Sequence, residues 1–439
     1  MARVSAVFFN CIDSFPHTAR MVLRGPAPQM QNYLAVALSQ HRMMTIGPKF
    51  RTSRSMIPPE AVSRIPLTLT ATFVLALLLT GCAQQTELVF TPREKPEDFA
   101  AKHQRQIEEA LVKYFGTPRF PRFMEVAPED KQPADAKELL LVDRLERRHL
   151  QHGRELYTQQ CSGCHGTTGD GRGRAAVYLN PPPRDYRLGK FKFTSTPRGA
   201  KPRRADLARI IRHGAKGTSM PAFRFMAEND LEAVIDYVVL LSSRGEVEYR
   251  LMRIAESELR GENEDLDIDP QLVAEQVQFV AQSWADAGTQ IVRPLTPQPQ
   301  YTQESIDAGA RAFVQLNCYK CHGRDGRGNK LFDVGKDDWG RTAYAADLTT
   351  GMLHGGRRPI DVYRRIYSGI NATPMPAFAQ PDTGKGETEA QRSETIWNLA
   401  HFITTVVEGK PLPAEIIDAE IKEQLKSQQT TSPTPTTGG

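Results

Sequence analysis

Beyond position 98, apolar residues return at helical spacing along much of the chain. Phe99, His103, Ile107, Leu111 and Phe115 fall every fourth position, as one face of a helix does, and the prolines of GTPRFPRF stop the run. Further on, Leu231, Val234, Ile235, Val238 and Leu241 form an apolar stripe. Ile396, Leu399, Phe402, Ile403 and Val406 form another. No stretch alternates apolar and polar residues as a half-buried strand would, so the pattern predicts a mainly helical protein.

The two stripes close two copies of an internal repeat. The first copy reads HGRELYTQQCSGCHGTTGDGRG, then DLARIIRHGAKGTSMPAF, then DLEAVIDYVVLLS. The second reads AGARAFVQLNCYKCHGRDGRGN, then DVYRRIYSGINATPMPAF, then ETIWNLAHFITTVV. Cys161 precedes Met220 by 59 positions, and Cys318 precedes Met375 by 57. Each opening helix carries a glycine four residues before an aromatic, Gly153 before Tyr157 and Gly309 before Phe313. A glycine on a helix surface lets a second helix cross closely, so each copy is expected to cross its opening helix with its closing one.

The remaining segments divide by composition. Residues 1–81 hold a long start and the apolar run Ile65–Thr80, with Arg64 ahead of it. That run falls short of the about 20 residues a membrane-spanning helix needs and fits a secretory signal. Met56 is a natural start, which excludes Cys11 and His17 from the chemistry. Leu79-Thr80-Gly81-Cys82 resembles a bacterial lipobox, whose cysteine receives the lipid; an ordinary cleaved signal with an incidental Cys82, or an uncleaved apolar anchor, is the alternative. Each of these places the rest of the chain outside the cytoplasm, and the lipid or the uncleaved anchor would hold it at a membrane surface. Residues 82–140 are a polar spacer with one helix, and 141–244 and 304–410 are the two repeat domains. Residues 245–303 are a linker, helical and then proline-rich, and 411–439 are a tail with a disordered end.

Of the 439 residues, 40% are hydrophobic and 24% charged, ordinary for a globular protein. The net charge of +5 is concentrated at the start: the first 82 residues hold eight Lys or Arg against two Asp or Glu. The body is therefore close to neutral, which excludes the overall basic character of a nucleic-acid binder. One basic segment stands out, residues 184–216, with eleven Lys or Arg against two Asp. It is either a docking surface for an acidic partner or a solvated face.

Four of the six cysteines sit in two CxxCH motifs, Cys161-Ser-Gly-Cys164-His165 and Cys318-Tyr-Lys-Cys321-His322. Two intervening residues let both thiols add to the vinyl groups on one edge of a haem while the adjacent histidine reaches the iron. A zinc site pairs such units over shorter separations than the 157 positions found here, and a reactive dithiol needs a βαβ setting that the pattern lacks. The motifs thus point to two covalently bound haem c groups, held through Cys161, Cys164, Cys318 and Cys321, with His165 and His322 as axial ligands.

Met220 in TSMPAF and Met375 in TPMPAF share a local context and a nearly equal distance from their motifs, and are the expected second ligands. Met226, His213, Met352 and His354 are rivals that do not recur at matching positions, and bis-histidine ligation is the alternative. A carbonyl of Pro181, Pro182 or Pro183 is a candidate acceptor for the second N–H of His165; a plain rigid turn is the other reading. The second copy has TAYAADL in that place.

Each copy resembles a class I c-type cytochrome domain: CxxCH after a helix with a glycine–aromatic pair, then a methionine ahead of a closing helix. The resemblance covers residues 145–244 and 304–408, roughly half of the chain. It implies small helical domains wrapped around low-spin His/Met haem, and single-electron transfer between larger redox complexes. It also leads one to expect a proline near each proximal histidine, from which the second copy departs. The expected function is that of a membrane-tethered, extracytoplasmic dihaem carrier without catalysis of its own, serving redox proteins or a respiratory complex. A cytochrome subunit of a dehydrogenase, or a dihaem peroxidase-like enzyme, is the alternative.

Overall fold

The computed structural model describes residues 89–123 apart from 95 and 98, and residues 136–328, 333–382 and 386–430. The expected signal, Met56 and Cys82 lie outside the described residues. Both repeat domains belong to one compact unit, Gln85–Gly439.

Among the described residues the fold is helical, without strands; two isolated bridges, Gly116 with Pro121 and Lys336 with Thr342, are its only β pairing. The helices are α1 (Ala101–Phe115), α2 (Ala136–Gln160), α3 (Ser162–His165), α4 (Arg204–His213), α5 (Glu228–Glu258) and α6 (Pro270–Asp286). After them come α7 (Gln303–Gln315), α8 (Cys318–His322), α9 (Pro359–Ser368), α10 (Glu389–Val407) and α11 (Ala414–Thr430). None of the described helices is long and apolar enough to cross a membrane.

Both expected crossings are present. A Cβ on Gly153 of α2 would lie 2.0 Å from the carbonyl oxygen of Ala233 on α5. A Cβ on Gly309 of α7 would lie 2.1 Å from that of Asn398 on α10. Only glycine lets the backbones approach so closely. One turn on, the aromatics meet: Tyr157 on Tyr237 at 5.3 Å and Phe313 on Phe402 at 5.2 Å between ring centroids. α7 and α10 are fixed at their starts by hydroxyl caps, Thr302 and Thr388, each accepting from a backbone N–H three residues on.

The segments outside the two copies are packed onto them. The closing helix of the first copy does not end at 244 but runs 31 residues, to Glu258. Within it Gly245 serves close packing: a Cβ there would stand 2.4 Å from the Cβ of Arg187. The extension carries Val247, Leu251 and Ala255, which pack with Ile107, Leu111 and Phe115 of α1 and Val273, Val277 and Val280 of α6. The spacer helix and the linker helix thus form a third core on the first domain, each large apolar side chain there contributing about 1.5–3 kcal/mol of burial. The proline-rich run is also fastened: Trp397 Nε1 donates to the Thr296 carbonyl at 3.0 Å, and the Thr296 and Ser393 hydroxyls bond at 2.8 Å. The tail is helical from 414 to 430 and lies along α7 and α8, with Gln315 bonding Glu420 and Tyr319 bonding Gln424.

Candidate haem sites

In the first copy, Cys164 and His165 fall on a single helical turn, α3, and Cys161 caps its start directly after α2. The Tyr157 hydroxyl donates to the Gly166 carbonyl at 2.9 Å, tying the turn to the helix crossing. Gly171 N–H closes on the His165 carbonyl at 2.8 Å. His165 Nδ1 faces the Arg184 carbonyl at 3.2 Å, which makes Nδ1 the protonated nitrogen and leaves Nε2 with its lone pair. The imidazole stacks on Tyr186 at 4.9 Å. Burial holds its pKa below the ordinary histidine value, against the raising effect of that carbonyl, so the ring is neutral and able to bind a metal.

The second copy repeats the main-chain part of this arrangement, with Phe313 in place of Tyr157 and so no hydroxyl bond to the turn. Gly328 N–H closes on the His322 carbonyl at 2.8 Å, and His322 Nδ1 faces the Ala346 carbonyl at 3.1 Å. Leu348 N–H donates to Gly326 as Tyr186 N–H donates to Gly169, both at 2.7 Å. Burial again lowers the histidine pKa.

The proline expectation is therefore corrected. The acceptor for His165 is Arg184, one residue beyond Pro183, and the Pro183 carbonyl lies against Gly171 instead, 2.7 Å from where a Cβ would stand. Neighbouring carbonyls of an extended segment face opposite ways, so only one of the pair can serve the histidine. Because the acceptor is main chain, Ala346 replaces Arg184 without loss, which explains why the second copy dispenses with proline.

The methionine loops are likewise duplicated. α4 ends at Gly214 and α9 at Gly369, both at positive φ, 67° and 65°. After each, an N–H faces the methionine carbonyl at 3.4 Å: Ala215 to Met220, and Ile370 to Met375. Within each, a threonine hydroxyl accepts from the methionine N–H, Thr218 at 3.1 Å and Thr373 at 3.3 Å. Phe223 and Phe378 then return an N–H to Ile211 and Ile366. The rivals lie elsewhere. Met226 packs into the core clusters beside α5, and His213 is exposed at the end of α4. Met352 is exposed, and His354 commits Nδ1 to the Lys216 carbonyl.

The donor set fits a covalently held haem. All four cysteines are free thiols, and burial pushes Cys161 up to about 11 and Cys318 up to about 12, the reverse of a reactive dithiol. Among the described residues no group of three or more His, Cys, Asp or Glu could hold an ion alone, whereas each haem iron would need only the one histidine of its own motif from that set. Arg184 adds a further sign. The side chain is half-buried, desolvation brings its pKa down to about 10, and its buried Nη1 has no hydrogen-bond partner in the protein. A group bearing carboxylates, as haem does, would satisfy it.

Residues 148–238 match the family model described as cytochrome c oxidase, cbb3-type, subunit III, and residues 306–406 match that described as cytochrome c. The chain is a tandem c-type cytochrome. No curated protein matches it. Among solved structures it is similar to a chain of the reducing HAO-like protein complex of Kuenenia stuttgartiensis, 28% identical, covering 58% of this chain and 96% of that one, with a TM-score of 0.42. Domains of this kind transfer electrons and imply covalently bound haem c and redox partners.

The basic segment 184–216 is not a free face of the cytochrome. Arg187 pairs with Asp185 at 2.9 Å, and Lys192 with Asp337 at 3.2 Å. Lys190 pairs with Asp338, Lys201 with Glu246, and Arg204 with Glu232 and Asp236. Arg209 donates to the Gly355 carbonyl at 2.9 Å, and Arg365 of domain 2 reaches back to the Lys192 carbonyl at 3.1 Å. Its charges mostly close the first domain or join it to the second. Apart from Asp185, their acidic partners lie outside the segment, so it reads as surplus charge until folded.

Proposed function

We propose that the chain is a membrane-tethered, extracytoplasmic dihaem cytochrome that passes single electrons between redox partners of a respiratory chain. Cys161 and Cys164 hold one haem and Cys318 and Cys321 the other. His165 with Met220, and His322 with Met375, are the axial pairs. The reading is carried by the duplication, in the same order, of one backbone arrangement: histidine on a carbonyl and methionine on a glycine-ended loop, in two domains whose side chains differ. Bound haem supplies a one-electron Fe(III)/Fe(II) couple, which a thioether ligand shifts upward relative to a second imidazole. The Nδ1–H bond to Arg184 or Ala346 fixes the imidazole plane and makes Nε2 a better donor. The thioether-forming cysteines keep the group seated in both redox states. The methionines fill the last coordination position, which suits electron transfer and leaves no open position for a substrate. Membrane attachment rests on the lipobox-like Cys82.

Intact-mass measurement of the matured protein tests the assignment of the cysteines. The wild type is expected to carry two haems, and Cys161→Ala with Cys164→Ala is expected to carry one. Retention of both haems in that variant would reject it. Radiolabelled fatty acid should enter the wild-type chain and be lost in Cys82→Ser; equal labelling would remove the tether.

A further inference from the structure

The methionine loop of domain 2 is not closed by domain 2 alone. Arg198, on the basic segment of domain 1, donates Nη2 to the Thr373 carbonyl at 2.8 Å and Nη1 to the Met375 carbonyl at 2.5 Å, with Ile370 O at 3.5 Å. Gly369, which starts the loop, makes room for this guanidinium, since a Cβ there would lie 2.7 Å from Nη1. The adjacent Gly199 N–H donates to Asn371 Oδ1 at 2.9 Å, and the Ser368 hydroxyl donates to the Thr196 carbonyl at 3.2 Å. The corresponding loop in domain 1 is treated differently: there His354 meets the Lys216 carbonyl and Met352 packs on Gly217, with no guanidinium on Met220.

The same junction is gripped from the other side. Trp339, at the tip of a turn between the bridged residues Lys336 and Thr342, donates Nε1 to the Asp185 carbonyl at 3.2 Å. Its ring lies 4.1 Å from the Arg184 guanidinium. The turn returns to the loop through Asp338 N–H on the Ala372 carbonyl at 3.2 Å.

We propose that Arg198 is a positioning residue for Met375, so that domain 1 completes the axial ligand set of domain 2. This rests on the reading that Met375 is a haem ligand. A thioether is a weak ligand, and its hold depends on where its loop keeps the sulfur. A planar guanidinium spanning neighbouring carbonyls fixes that loop in a way that neither a neutral residue nor a point charge reproduces.

The test uses the full-length holoprotein and the weak far-red absorption band of ferric methionine-ligated haem. Arg198→Ala and Arg198→Gln are each expected to lower that band towards about half, because one of two centres is affected. Each should also open one of the two ferrous centres to carbon monoxide. Trp339→Phe loosens the junction without touching the carbonyls that Arg198 holds, and should leave the band in place. Met375→Ala sets the scale by removing one centre's contribution entirely. If Met375→Ala lowers the band but both Arg198 variants keep it, the positioning role is overturned and the ligand stands. A band unchanged in Met375→Ala overturns the ligand assignment itself. Equal loss in Trp339→Phe overturns the specific role of Arg198 in favour of docking in general.

Discussion

Domains 1 and 2 share the main-chain bonds that place their histidine and their methionine, and differ in the side chains around them. Domain 1 stacks Tyr186 on its histidine, and domain 2 has Leu348 at the same backbone position. Domain 1 carries an added helical layer on a lengthened α5, whereas domain 2 has the single helix α11 laid on α7. Behind the crossing aromatic, domain 1 has Asp236, paired with His149 at 3.0 Å and with Arg204, while domain 2 has the fully buried His401, bonded to Ser305 at 2.9 Å. The difference teaches that placement of the histidine in this fold is a backbone property, while side chains adapt each domain to its neighbours, down to Arg198 on the second methionine loop.

The shared part and the added layer break hardest. Leu111→Ala in the added layer should cost about 2–5 kcal/mol through the cavity it leaves, read from chemical unfolding of the holoprotein. Gly153→Val and Gly309→Val should each cost about 3 kcal/mol by forcing the crossed helices apart, and should do so in both domains alike. A tolerated valine in either would mean that the two crossings are not equivalent. Tyr186→Leu makes domain 1 resemble domain 2 and should cost about 1 kcal/mol for the lost ring pair. The far-red absorption should persist, because the histidine keeps its carbonyl; loss of it would show that the side chain does place the ligand.

The smallest effect distinguishes the domains by acid. Burial lowers the pKa of His401 below its ordinary value of 6.5. The folded state therefore favours the neutral ring, and its contribution is fully present above pH 6.5. It is lost as pH falls from there towards the lowered folded value, because the unfolded chain takes up the proton first. His401→Gln should flatten the decline in stability over that window. An unchanged pH profile would exclude His401 as its source.

Much of the site was legible because it is local. CxxCH, the glycine–aromatic pairs and the MPAF segments each sit within a few residues, and the repeat cross-checks them. What was not legible depends on partners distant in the chain. The unbroken run of α5 past Gly245 depends on Arg187 packed over that glycine and on α1 and α6. The carbonyl for His165 is Arg184 rather than a proline, because the direction of a carbonyl is set by the folded path and not by residue type. Residues 184–216 read as either a docking surface or a solvated face, because Asp337, Asp338 and the loop carried by Met375 lie more than 100 positions away. A signal does exist in retrospect: a basic run inside one domain, matched by paired aspartates beside a tryptophan in the other.

Carbon monoxide titration of the fully reduced, haem-loaded protein at neutral pH most directly tests whether both irons are ligated on both faces by this chain. Two closed centres should show no binding at stoichiometric gas, with uptake appearing at one centre only after Met220→Ala or Met375→Ala. Ready uptake at both centres of the unmodified protein would contradict that arrangement.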